Sequence, residues 1–223
     1  MTALHRHQLA RLTPDAWRRQ LQGHWDATAH ECLSHWAAHG LPVVVTRQRS
    51  EDAGQVISVG VAAPRRWQGR RLAFQVQRSE VLFFDEFPGL QKVRSLLPAS
   101  ARTPARQLAL AVHACGATAR VYGSYGWQHL TGLQHVRDGS DLDLWIAVNS
   151  IEQADAVAAA LAAFASPSCR LDGELVFDGD AAVAWREWMS WRAGRADSVL
   201  VKHLNGPSLP RSMATFAPLA VLA

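Results

Sequence analysis

The sequence has little cysteine and no long apolar run, and both shortages narrow the classes of protein it can encode. Its three cysteines, Cys32, Cys115 and Cys169, are odd in number, far apart and not in metal-ligand spacing. This pattern predicts reduced, mostly buried thiols. No stretch reaches the about eighteen apolar residues of a membrane span, and residues 1–17 have no apolar core of signal-peptide length. We therefore expect a cytoplasmic protein with no membrane partner.

A concentrated basic tract is also missing. The net charge is +4 and the pI is about 9.4, which suits an anionic substrate, but the arginines are scattered. We therefore expect no nucleic-acid partner. One local group, Arg65, Arg66, Arg70 and Arg71, lies at a turn, where it either approaches phosphates or forms a solvated basic surface.

The ten histidines do not form a recognisable zinc motif. His35 and His39 have helical i, i+4 spacing, but Trp36, Ala37 and Ala38 stand between them, so the His-Glu-x-x-His arrangement is absent. We expect surface or interface histidines instead.

The pattern along the chain predicts an α+β protein of two lobes. The boundary is placed at 97–104, where two prolines and small residues interrupt regular patterns, giving an N-terminal α+β lobe (1–100) and a C-terminal lobe (101–223). In the first lobe, a small mixed sheet with flanking helices is predicted from a helical pattern over 14–39, starting at Thr13-Pro14, and strands at 41–46, 55–62 and 71–76.

In the second lobe, strands alternate with helices, which is typical of an α/β sheet covered on at least one face. Strands are predicted at 118–122, 141–148, 169–177 and 198–203, and helices at 105–115, 151–165 and 181–193, with a further helix beginning near 125–130. Asn149-Ser150 is expected to cap the helix at 151–165.

The candidate chemistry is concentrated in 123–148, where an Asp-Leu-Asp follows a Gly-Ser pair. On a strand, Asp141 and Asp143 point to one face. They lie roughly 6 to 7 Å apart along the backbone, so their side chains can converge on two divalent cations about 3.5 to 4 Å apart. We predict a two-metal Mg²⁺ site with both aspartates as ligands. The alternative is two solvated carboxylates on an edge strand.

Gly123 and Ser124 are the candidate phosphate-binding residues. Glycine lets the backbone approach a phosphate, and the serine offers a hydroxyl and an N–H at a helix N-terminus, where anions are favoured. The alternative is an ordinary turn.

Two later strands supply further charges. Asp172 and Glu174 alternate on a predicted strand, and either can be the third carboxylate, which holds a metal and favours deprotonation of an attacking hydroxyl. Glu174 is preferred, because it lies further into the apolar run and is expected to be more rigidly held. Lys202 is a lone cation on a late apolar strand, placed to offset phosphate charge.

The last predicted helix carries tryptophans three residues apart, with arginines between them. Trp185 is a candidate for stacking on an adenine, and Arg186 for a bidentate grip on a phosphate. The alternative is that these tryptophans belong to the core.

Together, the order strand, Gly-Ser, Asp-x-Asp, helix and acidic strand resembles the DNA polymerase beta-like nucleotidyltransferase superfamily. A closer likeness is to the malonate decarboxylase holo-acyl-carrier-protein synthases, also called phosphoribosyl-dephospho-CoA transferases. It is carried by GSYGWQHLTG, SDLDLW, LDGELVF, AVAWREW and VLVKH, and upstream by Arg6-His7, GLPVVVTRQR and VISVGVAAPRRWQGRRLAF. WQHLTG and WREW narrow the likeness to this family, because the Gly-Ser and Asp-Leu-Asp elements are more widely shared.

The resemblance implies the substrates. They are the triphosphoribosyl derivative of dephospho-CoA and a serine of the apo acyl carrier protein of malonate decarboxylase, joined through a phosphodiester. Pyrophosphate would leave, held by Gly123 and Ser124, with Lys202 offsetting its charge. Two alternatives stay open: a nucleotidyltransferase that uses ordinary ATP on a protein or small molecule, and a non-catalytic binding module.

Overall fold

A computed structural model of the chain describes residues 4–48, 55–178, 180–212 and 216, which form two sheets flanked by helices. The first and last residues of the two predicted lobes, 1–3 and 217–223, lie outside this description. The strands are β1 (Leu9–Leu12), β2 (Val43–Val45), β3 (Val56–Ala62), β4 (Arg71–Gln77), β5 (Val81–Asp85), β6 (Ala119–Val121), β7 (Leu142–Val148), β8 (Leu171–Phe177), β9 (Ala181–Ala184), β10 (Val201–Lys202) and β11 (Pro207–Ser208). The helices are α1 (Pro14–Leu21), α2 (Ala27–Ala38), α3 (Leu90–Val93), α4 (Ala99–Ala114), α5 (Gly123–Thr131), α6 (Ile151–Ala162) and α7 (Trp185–Arg192), with short 3-10 turns at Arg65–Trp67, Arg78–Glu80 and Arg94–Leu96. The predicted α+β class is confirmed.

The N-terminal sheet has the order β4-β3-β2-β1-β5 and is antiparallel at every described pairing, whereas a mixed sheet was predicted there. Helices α1 and α2 contribute Trp17, Leu33 and Trp36 to its core. The predicted start of α1 is confirmed, because the Thr13 hydroxyl accepts from the Ala16 N–H at 3.1 Å and Pro14 follows it.

The single helical pattern predicted over 14–39 is in fact two helices. Helix α1 ends at Leu21, and the Asp26 carboxylate caps α2 by accepting from the Ala29 N–H at 2.9 Å. The Trp25 indole N–H donates to the Gln20 carbonyl at 2.8 Å, which holds the turn between the helices. Apolar spacing continues across this turn, so periodicity alone did not show the break.

Strands β1 and β5 were missed in the sequence. Strand β1 has four residues, too few for alternation to be recognised, yet it lies between β2 and β5 in the sheet. Strand β5 is an edge strand with consecutive exposed apolar residues, Leu82 and Phe83, so its sequence does not alternate.

The C-terminal sheet has the order β11-β10-β9-β8-β7-β6 and contains one parallel pair, β7 with β8. Helices α4, α6 and α7 cover one face, where Leu142, Leu144 and Ile146 are fully buried in a shared core. The opposite face carries Asp143, Trp145 and Glu174, as the alternation of β7 and β8 requires. The Ser150 hydroxyl accepts from the Gln153 N–H at 3.1 Å, which confirms the predicted cap of α6.

The helix predicted over 181–193 and the boundary predicted at 97–104 differ from what is observed. The helix predicted over 181–193 begins at Trp185, because Ala181–Ala184 is strand β9 and pairs with β8. Alanine favours helices, but edge-to-edge pairing with a buried strand outweighs this preference. The interval 97–104, predicted to be irregular, is mostly helical, since α4 begins at Ala99 and contains Pro104 one turn later. Leu90, Val93 and Leu97 already pack into the C-terminal core.

No helix in the described part of the chain is both long enough and apolar enough to cross a membrane.

Candidate active site

The centre of the candidate site is a group of three aspartates on the open face of the C-terminal sheet. Strands β7 and β8 pair in a register that sets Asp143 directly beside Asp172, and Asp141 immediately precedes β7. Burial, together with the negative charges of Asp172 and Asp141, raises the pKa of Asp143 to about 7. The sequence alone did not give this register. This register places Asp172 next to Asp143, and both residues are candidates from the sequence.

Arginine side chains lie beside Asp141 and Asp172, whereas Asp143 has no such partner in the described part of the chain. The Arg170 guanidinium binds Asp141 through both carboxylate oxygens, with 2.8 Å between Nε and Oδ1, and this lowers the pKa of Asp141. Arg186 lies 3.7 Å from Asp172. Asp143 has no ion-pair partner among the residues that the structure describes. Within these residues, Asp143 is therefore a carboxyl group without a neutralising partner.

The Gly-Ser turn lies against this carboxylate. Gly123 begins α5 with a left-handed backbone (φ +61°), and a Cβ placed on it would lie 1.9 Å from Asp143 Oδ2. The Tyr122 N–H also donates to the Asp143 carbonyl at 3.1 Å. Ser124 follows in the first turn of α5, whose N-terminal N–H groups have no side-chain cap. The structure thus brings Gly123 to Asp143, with Ser124 next in the chain, and an uncapped helix N-terminus is suited to an anion.

The donor chemistry of the aspartates fits a divalent cation. Oxygen donors are the ligands that Mg²⁺ prefers, and a bound cation would offset both the burial and the neighbouring negative charges that raise the pKa of Asp143. Within the described ranges, no three His, Cys, Asp or Glu side chains converge in a ready metal cluster. Arg170 already engages both oxygens of Asp141, so Asp141 would have to exchange this partner to bind a metal.

Glu174 lies two residues beyond Asp172 on β8 and has a different environment. Its side chain is 5% exposed, and the Lys202 ammonium donates to its Oε1 at 2.9 Å. Nε2 of His7 lies 3.3 Å from Oε2, and an Arg6 Nη lies 3.8 Å from Oε1. Burial acts to raise the pKa of Glu174, but His7 and Lys202 outweigh it and lower the pKa to about 2. Glu174 is therefore a fixed negative charge surrounded by cationic groups.

Sequence reasoning did not identify Arg6, His7, Tyr122 or Arg170 as part of this site. Arg6 and His7 attracted notice only as part of the family likeness, because the strand that follows them, β1, was not recognised. Arg170 immediately precedes β8, and its side chain reaches Asp141 only because β7 and β8 are parallel neighbours. No local pattern in the sequence shows this relationship.

Trp185 and Arg186 lie at the margin of the aspartate group. Trp185 is 7% exposed and packs in the core with Trp188 and Trp191. The Arg186 guanidinium lies 4.3 Å from the centre of the Trp185 ring and donates to the Leu171 carbonyl at 2.8 Å. A cavity of about 220 Å³ adjoins them, lined by Leu161, Ala162, Phe164, Ser166, Cys169, Arg170, Leu171, Trp185 and Arg186. Arg186 is thus near Asp172, whereas Trp185 is mainly a core residue.

Two arginines of the basic turn at 65–71 form ion pairs within the N-terminal lobe. Arg66 lies 3.4 Å from Glu31, and Arg70 lies 2.5 Å from Asp26. Both acids belong to α2 or its cap. These pairs are consistent with a solvated basic surface.

Comparison with known protein families matches almost the whole chain. Residues 5–87 match the model described as phosphoribosyl-dephospho-CoA transferase MdcG N-terminal domain, and residues 89–212 match the corresponding C-terminal domain. The chain belongs to the phosphoribosyl-dephospho-CoA transferase family. It is therefore a member of a transferase family, and the resemblance drawn from the sequence motifs is confirmed.

Curated relatives agree with this family. A protein of Xanthomonas axonopodis pv. citri named phosphoribosyl-dephospho-CoA transferase is 35% identical over 199 residues, which cover 88% of this chain and 89% of the relative. A protein of the same name from Bradyrhizobium diazoefficiens is 34% identical over 90% of this chain and 87% of the relative. No solved structure is similar enough to this chain to count as a match.

Proposed function

We propose that this phosphoribosyl-dephospho-CoA transferase attaches the 2'-(5''-phosphoribosyl)-3'-dephospho-CoA group to a serine of the acyl carrier protein of malonate decarboxylase. The observation that carries the proposal is the contact of Gly123 with Asp143, in a register that also sets Asp172 beside Asp143. A phosphate-binding turn and a group of carboxylates are the two components that transfer of a nucleotidyl group requires. The names of the family and of its relatives supply the substrate class.

The reaction forms one bond to phosphorus and breaks another. The serine hydroxyl attacks the phosphorus nearest the ribose, a new phosphodiester forms, and pyrophosphate leaves. The serine proton must pass to a base, and the leaving group must be held by positive groups. Gly123 and Ser124, at the N-terminus of α5, would hold the outgoing phosphates.

We assign the third carboxylate to Asp172 in preference to Glu174. Asp172 is half-exposed and next to Asp143, whereas Glu174 is buried and paired with Lys202. A group with a pKa of about 2 accepts a proton poorly at neutral pH. The sequence favoured Glu174 because it was expected to be rigidly held. It is rigidly held, but by cations that remove its basicity.

Asp141, Asp143 and Asp172 would hold Mg²⁺, which would neutralise charge on the triphosphate and favour ionisation of the serine hydroxyl. On the protein side, Asp143 sets the position of the Gly-Ser turn, and Arg186 lies where it can reach a phosphate beside Asp172. The cavity next to Arg186 and Trp185 offers space for part of the nucleotide. A cytoplasmic location belongs to the same proposal, since all three cysteines are free thiols.

Mass spectrometry of the intact carrier protein tests the proposal. The enzyme is incubated with Mg²⁺, apo carrier protein and either triphosphoribosyl-dephospho-CoA or ATP. We expect the carrier to gain the phosphoribosyl-dephospho-CoA group from the first nucleotide and to gain nothing from ATP. Modification by ATP alone would identify an ordinary nucleotidyltransferase, and no modification by either nucleotide would favour a binding module. A Ser→Ala carrier is the control for the site of attachment.

A further inference from the structure

The N-terminal segment lies across the open face of the C-terminal sheet, beside the aspartates. The His7 ring stacks on Tyr122 with 4.0 Å between ring centres, and His5 stacks on Trp145 at 5.1 Å. Tyr122 immediately precedes the Gly-Ser turn. The segment that leads into β1 of the first sheet is thus a wall of the site in the second sheet.

His7 adopts an uncommon backbone conformation in this segment. Its φ is +62°, in the left-handed region that residues other than glycine seldom adopt. This conformation accompanies two contacts of its ring, with Tyr122 and with Glu174. Such outliers persist only where the surroundings fix them, and they are concentrated at functional sites.

The positive charge of the groups around Glu174 exceeds the single negative charge of its carboxylate. Lys202 alone forms a close ion pair with Oε1, and Arg6 approaches the same oxygen at 3.8 Å. The Arg6 Nε is buried, and no hydrogen-bond partner for it is found in the described part of the chain. Lys202 and Arg6 therefore exceed the charge of Glu174 by one unit, before any charge on His7. The Lys202 side chain is 40% exposed, so it is open to a ligand.

We propose that Arg6, His7 and Lys202 form a cradle for the pyrophosphate end of the triphosphate, and that Glu174 is the positioning residue that holds them. This inference rests on the proposed function and deepens it, because it assigns part of substrate binding to the N-terminal segment. Asp172 and Glu174 are two residues apart on one strand face, roughly 6 to 7 Å along the backbone. The cradle and the aspartates are thus adjacent, with Tyr122 and the Gly-Ser turn beside both.

A buried carboxylate suits this positioning role better than a purely stabilising one. Burying an ion pair recovers little free energy, because desolvation offsets most of the attraction. A carboxylate held among cations does, however, fix their side chains before the substrate arrives, and such preorganisation is what stabilises developing charge on a leaving group. The arrangement predicts that removing Arg6 weakens the binding of pyrophosphate itself.

The test is calorimetric titration of inorganic pyrophosphate, with Mg²⁺, into the wild-type protein and single variants. We expect Arg6→Gln to weaken pyrophosphate binding about ten-fold or more, as for loss of a hydrogen bond to a charged group. Arg6→Lys should recover much of the affinity. Arg11→Gln is the matched control, because Arg11 lies on β1 and donates to the Gly40 carbonyl, away from Glu174. It should bind pyrophosphate as the wild type does.

His7→Gln provides a second variant, should Arg6→Gln fail to fold, and it should also weaken pyrophosphate binding. Unchanged affinity in the folded variants of Arg6 and His7 would overturn the inference. The transfer assay on wild-type protein separates the two claims. Normal transfer together with unchanged pyrophosphate affinity in the variants rejects only the cradle. Weakened pyrophosphate binding without any wild-type transfer rejects the proposed reaction and keeps a polyphosphate site.

Discussion

Gly123 and Asp143 lie so close together that no side chain fits between them. A Cβ on Gly123 would be 1.9 Å from Asp143 Oδ2 and 2.9 Å from the carboxyl carbon. The turn that would bind phosphate and the carboxylate that would bind metal are therefore a single packed unit. A change to either side of this contact must displace the other.

We predict that Gly123→Ala lowers the rate of transfer by on the order of 10² or more, because a displacement of about 1 Å at reacting groups has that effect. Gly132→Ala is the matched control. Gly132 ends the same helix with a φ of +70°, and a Cβ there would meet nothing within 4 Å. Both substitutions carry a similar backbone cost of about 1 to 2 kcal/mol. The clash with Asp143 adds to this cost only at Gly123, so Gly123→Ala should lower the temperature of unfolding more than Gly132→Ala does. Equal losses of activity would show that backbone strain alone is responsible.

Asp143 should make the stability of the metal-free protein depend on pH. Its pKa is about 7 in the folded state and 3.8 in the reference state, so between about pH 4 and pH 7 the unfolded chain releases a proton that the folded protein keeps. The folded state therefore loses stability as the pH rises through this window. Asp143→Asn removes this loss, and we predict that it stabilises the metal-free protein by about 1 to 3 kcal/mol at pH 8.

Urea denaturation of wild type and Asp143→Asn in the presence of a chelator measures this difference. The gain should shrink toward zero as the pH falls below the reference pKa of 3.8, where Asp143 becomes protonated in both states. A variant that is less stable than wild type at pH 8 would show that Asp143 is stabilised by partners rather than strained by its neighbours.

Asp172 and Glu174 should differ in what their loss does. Asp172→Asn is expected to lower kcat by on the order of 10² or more, through loss of the third carboxylate, which favours deprotonation of the serine hydroxyl. Glu174→Gln is expected to lower kcat less, to raise the KM for the nucleotide and to reduce stability, because Lys202 and His7 lose their shared partner. Steady-state kinetics at saturating Mg²⁺ separate the two. A greater fall in kcat for Glu174→Gln would show that Glu174 is the third carboxylate.

Ser124 and Thr131 lie at opposite ends of α5 and provide a further matched pair. Ser124→Ala should raise the KM for the nucleotide, because the hydroxyl lies at the phosphate turn. Thr131→Ala should mainly reduce stability, by about 1 kcal/mol, since its hydroxyl donates to the Trp127 carbonyl at 2.7 Å and accepts from the Leu133 N–H. Similar KM values in the two variants would assign Ser124 to packing.

The sequence was sufficient to place those candidate residues whose position depends on local periodicity. Asp143 lies on the open face of β7 because of a two-residue repeat, with Asp141 immediately before the strand, and the Gly-Ser pair begins α5 because of local turn chemistry. The caps at Thr13 and Ser150 were predictable for the same reason. Each of these features is decided within a few residues of chain.

The rest depended on pairing between distant strands. The choice between Asp172 and Glu174 rests on the β7–β8 register, and the contact of Glu174 with His7 joins residues 167 positions apart. Strand β9 was predicted as helix because its alanines carry no information about a partner strand. Arg6 and His7 were not identified because β1, which follows them, is short and its location in the first sheet is a tertiary property.

The most direct test of the central claim is to count pyrophosphate released against carrier protein modified, for wild type and Asp143→Asn. We predict one pyrophosphate for each phosphoribosyl-dephospho-CoA group attached by the wild type, and neither product above background from the folded Asp143→Asn variant. Attachment without pyrophosphate, or wild-type turnover by Asp143→Asn, would contradict the account.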